Sequence, residues 1–198
     1  MPQDQTEPSY VCDILEHLAQ FKLVREIANK TSADDFRGLI DAKILCAVDR
    51  IYDPESVVEV EQGDIFELEI SNKGKQGLYV FLYNMGPNWQ VEDIYRGTYE
   101  VIPPQNQEKR FMGTFRKKLK TIVPPSMREE GHDQCDDIIK VFITSQPTSF
   151  DLLDLPKIDG IAKKSSSSRT GGGDTNLSED WIALNFPIRT SVRVPDST

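Results

Sequence analysis

The chain has 198 residues, a formal net charge of −9 and an apolar fraction of 38%. That length suits one domain plus tails, and the low apolar fraction implies that part of the chain stays unpacked. The acidic balance disfavours nucleic acid and anionic membranes as partners, the three cysteines are too few for a disulfide framework, and no apolar run approaches the roughly 20 residues that span a bilayer.

The opening MPQDQTEPSY lacks the basic and apolar regions of a signal peptide, so a cytoplasmic location is expected. Residues 1–8 are expected to be loose. Ser9 can cap a helix. Val11, Ile14, Leu15, Leu18, Phe21, Val24, Ile27 and Ala28 recur at helical spacing, which predicts an amphipathic helix within residues 9–30. Its apolar stripe must dock on this chain or on a partner.

Period-two alternation through Ile40, Ala42, Ile44 and Cys46 predicts a strand from about Arg37 to Val48, with a helix opening at Ser32 as the competing reading. Val57–Val60 and Asp64–Ser71 read as strands around the turn at Gln62-Gly63. Asn72-Lys73-Gly74 has turn chemistry and suggests a hairpin to the next strand, Leu78–Asn84. There Leu78, Val80 and Leu82 point one way and Tyr79, Phe81 and Tyr83 the other, so this strand should be central and covered on both faces.

Met85-Gly86-Pro87-Asn88 is a turn. Strands are expected at Trp89–Tyr95, Thr98–Ile102 and Phe115–Val123, then an acidic loop over Ser126–Asp136 with room for one helical turn. Asp137–Ser145 reads as a strong strand, with Ile139, Val141 and Ile143 on one face and Ile138 and Phe142 on the other. Residues 160–179 are rich in Ser and Gly and read as a flexible insertion, because Ile182, Leu184 and Phe186 resume strand alternation after it. Residues 192–198 should fray. Short strands punctuated by Gly, Pro and Asn predict a mainly β protein. The expected fold is an antiparallel β-sandwich over 37–191, immunoglobulin-like in outline, with about seven to nine strands behind one helix.

Catalytic chemistry is sparsely represented. His17 reads as a helix-surface or interface residue. His132 lies three positions before Cys135, but nothing in the sequence supplies oxyanion donors or a group to orient the imidazole. Asp133, Asp136 and Asp137 would oppose a thiolate. A metal site there lacks a second Cys/His pair. Gly171–Gly173 lacks the GK[ST] ending of a phosphate loop. No catalytic, cofactor or metal residue is therefore assigned. Arg116, Lys117, Lys118 and Lys120 form a basic patch that reads first as a solvated or blunted strand edge and second as a contact for an acidic partner. Met85, Pro87, Asn88 and Trp89 form the loop best suited to recognition, of a protein or of a small ligand such as a sugar.

Several phrases carry a resemblance. LEHLAQFKLVREIAN (15–29), LYVFLYNMGPNWQVEDIY (78–95), YEVIPP (99–104), GTFRKKLKTIVP (113–124), CDDIIKVFITSQPTSFDLLDLP (135–156) and WIALNFPIRTS (181–191) resemble the β-rich accessory region that follows the peptidase domain in fungal caspase-domain proteins. The family's peptidase uses a His in a Gly-flanked loop and a Cys at an Asp-Ser-Cys-type strand end, and neither context exists here. The resemblance implies a non-catalytic accessory module whose partner is a protein, such as a caspase-like peptidase domain. The alternative is a cysteine peptidase fragment or paralogue using His132 and Cys135.

Overall fold

The computed structural model describes residues 8–29, 34–47, 49–106, 113–159 and 180–193. The insertion expected over 160–179 lies outside them, as do residues 1–7 and 194–198. The described chain is a β-sandwich preceded by a helix. In order it runs α1 (Pro8–Glu26), α2 (Asp34–Gly38), β1 (Ile40–Leu45), β2 (Ile51–Tyr52), β3 (Val58–Glu61), β4 (Ile65–Asn72), β5 (Leu78–Met85) and β6 (Val91–Asp93). Then come β7 (Glu100–Ile102), β8 (Gly113–Lys120), α3 (Pro125–Glu129), β9 (Gln134–Thr144), a 3-10 turn at Asp151–Leu153, and β10 (Trp181–Ser191). The described residues form ten strands, where about seven to nine were expected. None of the described helices is long and apolar enough to cross a membrane.

One sheet has the order β2-β1-β4-β8 and the other β3-β10-β9-β5-β6, with β7 sharing the free edge of β5. The first sheet is antiparallel throughout. In the second, β3 pairs with β10 in parallel, so the sandwich is not wholly antiparallel as expected. Between the sheets lies the main core: Ile44, Leu68 and Ile70 face Val80, Leu82, Val141, Ile143 and Phe186, all buried. Alternation along β9 and β10 is as the sequence dictates, with Ile139, Val141 and Ile143 inward beside Ile182, Leu184 and Phe186.

The central, two-faced reading of β5 holds. Its Leu78, Val80 and Leu82 fill the inter-sheet core, while Phe81, Tyr83 and Met85 join a second cluster on the outer face. That cluster contains Phe142, Leu155, and Phe21 and Val24 of α1. Phe142 stacks on Phe150 at 4.5 Å between ring centroids. So α1 docks on its own sandwich, but not by the whole predicted stripe. His17, Phe21 and Val24 are buried, whereas Val11 and Leu15 are 45% and 60% exposed. The first half of the helix therefore presents a second apolar ridge to solvent.

Three further boundaries differ. Asp34–Gly38 is a helical turn, so β1 begins at Ile40 and not Arg37. Trp89 lies in a turn outside β6. The hairpin expected at Asn72-Lys73-Gly74 does not exist, because β4 and β5 belong to different sheets. Asn72 makes this crossover: buried, it donates from Nδ2 to the carbonyls of Gln76 (2.8 Å), Ile102 (3.2 Å) and Pro103 (3.3 Å), and accepts from the Gly74 amide at 2.8 Å. Turn chemistry reports a reversal, but not whether the returning strand pairs or changes layer.

Candidate functional site

The outer face of the six-stranded sheet is ordered in cross-strand rows. Phe81, Phe142 and Ala183 form one row; Tyr83, Lys140 and Asn185 the next; Met85, Ile138 and Pro187 the third. Beyond them Asp136 stands opposite Arg189. Alternation puts all these side chains on the face that α1 crosses.

Lys140 ties α1 to the second row. Only 1% exposed, its Nζ donates to the carbonyls of Arg25 (2.9 Å) and Ile27 (2.8 Å) at the end of the helix. Those carbonyls have no intrahelical partner, and an ammonium complements the negative end of the helix dipole. Burial pushes the Lys140 ammonium down to about 8. The Nζ also sits 5.5 Å from the centre of the Phe142 ring.

His17 ties α1 to the turn between β5 and β6. Its Nε2 donates to the Trp89 carbonyl at 2.8 Å, and the Phe21 ring meets the Trp89 indole edge-on at 5.2 Å. Trp89 has φ +61, a left-handed conformation that a bulky residue adopts only when its surroundings enforce it. The enforcing bonds are visible. The Trp89 amide donates to the Gly86 carbonyl at 3.1 Å, the Gly86 amide to the Gln90 carbonyl at 3.0 Å, and the Ile158 amide to the Asn88 carbonyl at 3.0 Å. The Asn88 amide donates to Gln90 Oε1 at 3.1 Å. The indole is thereby held 45% exposed at a fixed place.

Between α1 and this turn lies a groove of about 540 Å³. Its apolar surface comes from the third row together with Phe21, Trp89 and Val57. Its charged rim comes from Arg25 and the Asp136–Arg189 pair. Arg189 Nε and Nη2 approach the two Asp136 oxygens at 2.9 and 3.3 Å. Of the loop residues singled out in the sequence, Trp89 is exposed, Pro87 and Asn88 are half-buried, and Met85 is 1% exposed. Met85 is thus part of the floor and not a projecting contact, because position 85 falls on the outer face of β5. Phe21, Arg25 and Arg189 were not read as site residues. Helical and strand periodicity does not reveal which distant elements meet.

The basic patch is elsewhere. β8 is one of the two edge strands of the four-stranded sheet. Arg116 Nη2 lies 2.6 Å from Glu69 Oε2, and Lys43 Nζ lies 3.0 Å from Glu69 Oε1. Lys118 stands opposite Glu67 in the ladder. Lys117 turns toward the core side and sits 4.7 Å from the centre of the Tyr95 ring. Burial pushes the Tyr95 hydroxyl up to about 12. Acidic residues of β4 thus engage the patch, and an inward-turned lysine blunts the edge. Arg116, Lys117 and Lys118 do not join the Trp89 turn in one site.

Cys135 is buried, its sulfur 3.6 Å from Asp137 Oδ2 and 3.9 Å from the Ile122 carbonyl. Burial first, then Asp137, push its thiol up to about 12, and burial pushes the Asp137 carboxyl up to about 6. His132 is exposed, with Nε2 3.9 Å from Glu130 Oε2. A thiol so strongly held in its protonated form is a poor nucleophile. Among the described residues no three His, Cys, Asp or Glu side chains gather as metal ligands. With Cys12 and Cys46 replaced by Ser, Ellman's reagent at pH 8 is expected to react with folded Cys135 at least about 100-fold more slowly than with the unfolded chain. Equal rates would overturn this account of the thiol.

Compared with known proteins, the chain matches no protein-family model and none of the curated proteins.

Proposed function

We propose that this chain is a non-catalytic interaction module that takes a protein partner in the groove between α1 and the Trp89 turn. The single observation that supports the reading is Trp89 itself: a bulky residue fixed at φ +61 and left half exposed beside an apolar groove. Holding a large aromatic side chain in place before binding removes an ordering penalty that association would otherwise incur. The resemblance to the accessory region of fungal caspase-domain proteins suggests a caspase-like peptidase domain as the partner, with both acting in the cytoplasm. In that setting the module docks or regulates the peptidase and contributes no catalytic group.

The test is a calorimetric titration of the chain with a recombinant caspase-like domain. Binding is expected, with affinity falling at least about tenfold in Trp89→Ala, as for a central aromatic anchor. No binding would remove the caspase-like partner. Binding that ignores Trp89→Ala would remove the groove.

A further inference from the structure

The charges around the groove define the partner more closely. We propose that the groove takes an extended protein segment with an apolar side chain and a carboxylate one or two residues away, the first seated on the Met85–Ile138–Pro187 row and the second on Arg25. This rests on reading the groove as an interaction surface.

The argument is one of unbalanced charge. Arg189 is already held by both oxygens of Asp136. Asp137 also borders the groove, but alternation along β9 turns its side chain to the opposite face, where Oδ2 lies 3.6 Å from the Cys135 sulfur. Glu26, next to Arg25 in sequence, lies 3.8 Å from Lys22. Among the described residues no carboxylate lies within 4.0 Å of the Arg25 guanidinium, which lines the groove. In a chain of net charge −9 this is a local cationic spot beside an apolar surface.

A helix C-terminus would ordinarily repel an anion, and an arginine in the last turn could serve only to offset that dipole. Here Lys140 already donates to the carbonyls of Arg25 and Ile27. The guanidinium is therefore left with charge to offer a ligand, and its planar fork suits a carboxylate. The neighbouring floor is apolar, which strengthens such a contact relative to open solvent.

The test uses a displayed library of random dodecapeptides selected on the whole chain and counter-selected on Trp89→Ala. Enriched peptides are expected to carry Asp or Glu within two positions of an apolar residue. Their affinity should fall at least about fivefold on Arg25→Gln. Arg25 is exposed, so an unchanged thermal midpoint separates this loss from unfolding. Enrichment without acidic residues, or acidic peptides indifferent to Arg25→Gln, would overturn the proposal and leave the groove reading standing. No Trp89-dependent peptide at all would overturn both. Concentration-dependent dimers in sedimentation velocity that vanish in Trp89→Ala would make a second copy the occupant and overturn the partner proposal.

Discussion

Gly113→Ala is expected to destabilise the fold by about 3 kcal/mol or more, lowering the thermal midpoint by roughly 10 °C. A Cβ at Gly113 would stand 2.0 Å from the Pro103 carbonyl oxygen and 3.1 Å from its carbon. Both are backbone atoms, so no rotamer change can relieve the overlap. The place matters too. Gly113 begins β8 and pairs with Asn72 of β4, while Pro103 follows β7 in the opposite sheet. Asn72 donates to the Ile102 and Pro103 carbonyls here. Moving Pro103 away from a methyl group would stretch the bonds that carry the chain between layers. Gly38 is the control, since a Cβ there meets nothing within 4 Å. Gly38→Ala should be neutral or slightly stabilising, because Ala loses less backbone entropy in a helix. A Gly113→Ala midpoint within about 2 °C of the parent would refute the close approach.

Lys140→Ala is expected to destabilise by about 3 kcal/mol, the sum of an unsatisfied Ile27 carbonyl, an Arg25 carbonyl left with only the 3.4 Å bond from Asn185 Nδ2, and a cavity beneath α1, partly offset by release of a buried charge. Lys140→Met separates the cavity from the rest, since it fills the space while removing the donors and the charge together. Chemical unfolding of the three proteins reads the difference. The wild type should also show a distinct pH response. Its Lys140 sits near 8 when folded and at the ordinary 10.5 when unfolded. Between those values the unfolded chain binds more protons, so stability attributable to this lysine rises with pH across about 8 to 10.5. Below pH 8 the penalty of burying the ammonium is fully present. The rise is expected to amount to about 2–3 kcal/mol and to be absent from Lys140→Met. A wild type and Lys140→Met that run parallel through this window would contradict the burial of a charged ammonium.

Some of the fold was legible because its signal is local. Leu78–Met85 is apolar at every second position on one face and aromatic on the other, and such a strand must be covered twice. Trp181–Ser191 alternates cleanly, so its inward residues could be named from periodicity. Arg37 and Gly38 were misassigned to a strand because alternation was extended through a helical turn. The site was legible only in part. Trp89 stood out as an aromatic residue in a turn of Gly, Pro and Asn. Met85 was assigned to the same exposed loop, although strand periodicity already placed it on the face of Phe81 and Tyr83. Lys140 gave no signal, because a lone lysine in an apolar strand does not announce the helix end it caps.

The sequence by itself determined the class of fold, the faces of its strands, the presence of a helix before the sandwich, and the turn from which Trp89 projects. These follow from propensity and spacing within a few residues. Only the tertiary structure decided that β4 and β5 part into different sheets, that β3 pairs in parallel with β10, and that α1 lies across the outer face. It also decided that Phe21, Arg25, Trp89, Ile138 and Pro187 share one groove. The physical reason is that partner choice between elements depends on the apolar surface each can bury against another distant in the chain. Local periodicity records that a face seeks cover, but not what supplies it.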